Sequence, residues 1–176
     1  MIRTVASQIA GLHTASTSPI FLAILAVHVI AAVIAVSCGA LLAVRRKGDH
    51  RHRRTGRIYA RALTVVAITT LALSAFDIGR DWPLDILGVL AAGFAWLGIA
   101  HRRRHRPGDT GHILAMGGSY VLMLTAFYVD NGKSLPLWRD LPTLTYWLLP
   151  AAVGAPLIAR AIARHRLAAL PGPSQQ

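Results

Sequence analysis

PIFLAILAVHVIAAVIAVSCGALLAV, from Pro19 to Val44, contains no Asp, Glu, Lys or Arg. The hydrocarbon core of a bilayer is about 30 Å thick and takes roughly 20 apolar helical residues to cross. The stretch is therefore read as a membrane-spanning helix, and the rest of the chain is read around it. Four further apolar blocks follow, at about residues 58–78, 83–100, 112–129 and 141–159. Arg61 and Asp85 stand near the starts of the second and third blocks, where charged groups reach the interface. Pro150 and Pro156 fall inside the fifth, which a membrane helix tolerates. The expected fold is all-α: a polytopic transmembrane bundle of about five spans, a four-helix core plus one, over residues 19–165. Residues 1–18 read as a short outer extension and 166–176 as a disordered tail.

Composition narrows the function classes. The chain has 176 residues, 54% of them hydrophobic, with a mean hydropathy of +0.48 and a pI near 11.5. A single cysteine, Cys38, excludes an intramolecular disulfide framework or a cysteine-only metal cluster. The seven acidic residues are all Asp, so neither a HExxH zinc site nor a Glu/His di-iron bundle can be built. Phosphate-cradling glycine loops are absent as well. High basicity raises nucleic acid as a partner, but the chain has no nucleic-acid motif and no separate soluble domain. Membrane topology explains the charge instead.

With five spans, fifteen of the nineteen Lys and Arg fall on one side, in the segments 45–61, 101–106 and 160–166. The positive-inside rule makes that side cytoplasmic, with the N-terminus out and the C-terminus in. Trp82, Trp138 and Trp147 then lie near the outer interface, where amphipathic rings prefer to sit. The expected location is the cytoplasmic (inner) membrane of a bacterium. Two cytoplasmic helix starts share a pattern: Thr55-Gly56-Arg57-Ile58-Tyr59-Ala60 and Thr110-Gly111-His112-Ile113-Leu114-Ala115. Two readings fit, a parallel duplication or two similar Thr caps.

His28 is the most informative residue for chemistry. It lies about 13 Å inside the outer end of the first span, a depth at which ionisable groups face a bundle interior or a wet cavity. Counting along the fourth span puts Tyr120 at a similar level, with Ser119 and Thr125 close by. A His28–Tyr120 hydrogen bond, direct or through water, is therefore within reach, either as part of a ligand site or as a neutral tie between two helices. On the cytoplasmic side stand His50, His52, His101, His105 and His112. His101 and His105 have the i, i+4 spacing of metal ligands, but the surrounding arginines repel a cation. Arg53, Arg54, Arg57 and Arg61 fit a different partner, anionic phospholipid headgroups, at about 1 kcal/mol of attraction each.

The run His52-Arg53-Arg54-Thr55-Gly56-Arg57-Ile58-Tyr59, with His28 before it and His112, Met116, Ser119 and Tyr120 after it, resembles a bacterial multi-pass membrane family, domain of unknown function 2306. The segment Leu124-Thr125-Ala126-Phe127-Tyr128-Val129-Asp130-Asn131-Gly132, followed by Leu135-Pro136-Leu137-Trp138, is similar to one branch of it. The likeness covers roughly residues 24–165. It implies a helical membrane protein and carries no activity. Many members have Arg where Gly118 stands, so no anion-binding role of that position is carried over.

Three functions compete. The first is binding or transport of a small ligand or lipid at an intramembrane polar site made by His28, Tyr120, Ser119 and His112, beneath the basic cytoplasmic rim. The second is electron transfer by b-type haem, held near the cytoplasmic surface by His52 or His101 with His112. His28 is about 24 Å from that surface and is too far to share a haem with His112. The third is a structural role, as a helper subunit packed on a larger membrane complex or as a homo-oligomer. No triad, paired catalytic carboxylates or activated nucleophile is visible, so the sequence assigns no enzymatic activity.

Overall fold

Ser18 starts the first helix. Its Oγ accepts the Phe21 N–H at 3.2 Å, and Pro19 occupies the first helical position, where a missing N–H costs nothing. In the computed structural model, which describes residues 18–45, 49–76, 82–104 and 110–168 together with 8–9 and 12–13, five long helices follow. They are α1 (Pro19–Val44), α2 (His50–Ser74), α3 (Trp82–Arg104), α4 (Thr110–Asn131) and α5 (Thr143–Ala168). A 3-10 turn, Gly132–Ser134, follows α4, and Gln8–Ile9 pairs antiparallel with Leu12–His13 ahead of α1. All five helices are long and apolar enough to cross a membrane.

Several helices outrun their apolar blocks. Asp49 caps α2 by accepting the His52 N–H at 2.7 Å, so that helix begins at His50, well before Ile58. The α5 helix runs through Pro150 and Pro156 to Ala168, past residue 165; residues 169–176 lie outside the described residues. Thr55 is buried inside α2 and is not its cap. The reading of two similar Thr caps therefore fails for the first copy. The copies are also out of level, because Tyr59 meets Ser119, 60 positions on, whereas the shared pattern repeats after 55 residues.

Each helix packs on the next in sequence. The fourth closes the bundle: Tyr59 of α2 bonds Ser119 of α4, and Tyr120 of α4 donates to the Val36 carbonyl of α1 at 3.3 Å. The fifth helix lies on α4. Gly117 faces Ile158, Gly154 faces Val121, and the Tyr146 hydroxyl donates to the Trp138 carbonyl at 2.6 Å. Four helices with one addition is the arrangement observed.

The core is made of small residues. Ala35, Ala60, Ala62, Ala67, Ala91, Ala92 and Ala95 surround Tyr59, Leu63 and Met123. Lipid tails are as apolar as Leu, so helices in a bilayer associate through close packing and polar bonds, and alanine lets the backbones approach. The large apolar side chains face outward instead, Val29, Ile30 and Val33 of α1 among them. Several threonine hydroxyls inside the spans bond their own helix, as Thr64 does on the Ala60 carbonyl and Thr125 on the Val121 carbonyl. The Trp96 indole N–H, which also needs an acceptor, finds Thr64 Oγ1 at 2.9 Å.

Candidate functional site

The α1 helix turns one stripe toward its neighbours, in which Phe21, Ala31, Ala35 and Gly39 are buried. His28 belongs to that stripe by its 3- and 4-residue spacing. Its Nδ1 lies 2.9 Å from Thr69 Oγ1 of α2. The Thr69 hydroxyl also reaches the Val65 carbonyl at 2.8 Å and the Val66 carbonyl at 3.0 Å. The imidazole also bonds the Val66 backbone carbonyl, so the ring is tied to α2 through both a side chain and the main chain, about 13 Å inside the span.

The four residues expected to form one polar site are spread over three levels. Tyr120 reaches Val36 and packs its ring on Gly39, about 12 Å along α1 from His28. The two do not pair. Counting from helix ends put them level because it assumed that α1 and α4 end at the same height. The register is set instead at Gly39, where a Cβ would collide with the Tyr120 ring. Ser119 points into the core and meets the Tyr59 hydroxyl at 2.8 Å. His112 lies at the start of α4 and donates from Nδ1 to the Gly98 carbonyl of α3 at 2.7 Å. His28 instead has Thr69, a residue that sequence reasoning passed over. The available signal was a hydroxyl pair, Thr69-Thr70, in the middle of an apolar span.

Beside His28 lies a groove of about 380 Å³ between α1 and α2. Val27, Ile30, Ala31 and Ile34 line it from α1, and Ile58, Ala62 and Val65 from α2. His28 and Thr69 do not line it; they lie next to Val27 and one turn beyond Val65, which do. One charged residue, Arg61, shares the apolar wall. Arg61 is exposed and has no partner among the described residues. Arg54 and Arg57 are exposed as well and share its face of α2 through i, i+3 and i+7 spacing. Arg53 is exposed on the adjoining face.

At the arginine-rich end, Asp49 takes the His52 backbone N–H, which holds its carboxyl below the usual carboxylate range. His101 lies in the last turns of α3, near the level of His112, and His105 lies outside the described residues. Among the described residues no three His, Cys, Asp or Glu side chains gather as a metal ion would need.

The model of one protein family, described as a predicted membrane protein (DUF2306), matches residues 25–166. No curated protein and no solved structure matches the chain.

Proposed function

We propose, for a chain that belongs to the membrane family of domain of unknown function 2306, that it binds or carries a small amphiphilic ligand between α1 and α2. In this reading it works in the inner membrane of a bacterium, with the N-terminus outside and the arginine-rich ends in the cytoplasm. One observation carries the proposal. His28, deep in the span, is bonded to Thr69 of α2 beside an apolar groove between the same two helices. An intramembrane polar group is costly and is kept where it serves a ligand or pathway. The chemistry suits a molecule with an apolar body and one polar group able to bond the imidazole or the Thr69 hydroxyl.

Mass spectrometry of small molecules extracted from the detergent-purified protein tests this reading. An apolar compound with such a group should co-purify with the wild type and be lost from His28→Ala, while helix content stays unchanged by circular dichroism. An identical extract from folded wild type and variant would remove the support.

A further inference from the structure

Arg61 poses a problem that the protein itself does not solve. It stands about 4.5 Å deeper along α2 than Ile58, the start of the apolar block. It is exposed there, and no described residue pairs with it. A lipid-facing arginine this far along the span is accommodated by reaching the headgroup region, where anionic groups are its natural partners. On any helix the Cα–Cβ bonds tilt toward the N-terminus, and the N-terminus of α2 is its arginine-rich end. The Arg61 side chain is thus set to extend toward the headgroups while its methylenes cover the groove wall. Arg57, one turn closer to that surface, is exposed on the same face and is also unpartnered among the described residues.

We infer that the α1–α2 groove holds one anionic phospholipid, its phosphate on Arg61 and Arg57 and an acyl chain along Ile34, Ala62, Ala31 and Val65. The inference deepens the ligand reading above and rests on it for the groove. It does not depend on the hydrogen bonding of His28. Two features select this occupant. The wall is apolar except for Arg61, which suits a hydrocarbon chain. The charge lies toward one end of the slot, which matches a molecule with an anionic head and an apolar tail. A free phosphate would satisfy the arginines and leave the slot unused. A second copy of the chain would have to bring an acid to Arg61, and the chain has only seven, all Asp.

Native mass spectrometry of the full chain, released from detergent and titrated with phosphatidylglycerol, provides the test. One lipid should be retained per chain, with phosphatidylcholine held more weakly. Arg61→Gln should weaken phosphatidylglycerol binding about five- to tenfold, in line with the attraction of one basic group for acidic headgroups. Val65→Trp, at a half-exposed wall position, should block the slot and lower retention with every arginine intact. Arg164→Gln, a basic residue of α5 outside the groove, should leave lipid retention unchanged. Comparing the small-molecule extract of Arg61→Gln with that of His28→Ala separates loss of this lipid from loss of the His28 ligand. The inference is overturned if Arg61→Gln retains lipid as the wild type does, or if both lipids bind equally. Competition by glycerol phosphate as effective as that by the lipid would also overturn it, as would a dimer that Val65→Trp dissolves with lipid retention unchanged.

Discussion

Tyr59 and Ser119 meet hydroxyl to hydroxyl at 2.8 Å between α2 and α4, with both side chains fully buried. The bond joins two helices that are not neighbours in sequence, and it lies where neither water nor lipid can replace a lost partner. Tyr59→Phe keeps the ring and removes the bond. The expected loss is about 0.5–1.5 kcal/mol, small because Ser119 can turn back to a carbonyl on its own helix. A double-mutant cycle with Ser119→Ala, measured by unfolding in mixed micelles, should show a coupling of similar size. Strict additivity would mean that the two hydroxyls do not hold the helices together.

Gly39 sets the height of α1 against α4. A Cβ there would run into the ring of Tyr120, and packed interiors accommodate added atoms poorly. Gly39→Ala should destabilise the bundle by about 1–3 kcal/mol. Tyr120→Ala, added to that variant, should return part of the loss despite its own cavity. Thermal unfolding in detergent reads both effects, and a neutral Gly39→Ala would place the register contact elsewhere.

Asp49 makes the start of α2 sensitive to acid. Its pKa is lowered, first by the hydrogen bond from the His52 N–H, so the folded chain holds the carboxylate more firmly than the unfolded chain does. The cap's contribution is therefore complete above the unfolded value of about 3.9 and fades as pH falls through the lower folded value. Amide exchange at His52 and Arg53, corrected for intrinsic rates, should speed up as pH drops below about 4. In Asp49→Ala the protection should be lower above that pH and its acid dependence absent.

Charge placement predicts the topology. A reporter fused to the N-terminus should be active outside the cytoplasm and one fused to the C-terminus inside it. Both reporters active in the same compartment would contradict the five-span assignment of the arginines.

The spans were legible because hydropathy is a sum over many residues, and no single error moves it far. Pro19–Val44 was found to the residue, since Ser18 and Pro19 mark its start and Arg45 its end. The start of α2 was missed because a helix can continue through a basic, water-facing segment once Asp49 caps it. Levels between helices were harder still. Whether Tyr120 faces His28 or Gly39 depends on how two helices slide past each other, and that is decided by individual contacts. The depth of His28 could be read from sequence; its partner Thr69 could not, because threonine in a membrane helix usually bonds its own backbone.

The contact between α4 and α5 is reciprocal. Gly117 of α4 receives Ile158, and Gly154 of α5 receives Val121, so each helix supplies one notch and one peg. Two such joints about one turn apart resist travel along the bundle axis, because both branched side chains would have to climb out together. Any working motion of α5 is therefore a sideways swing or lift away from α4, and a piston stroke through the bilayer is blocked.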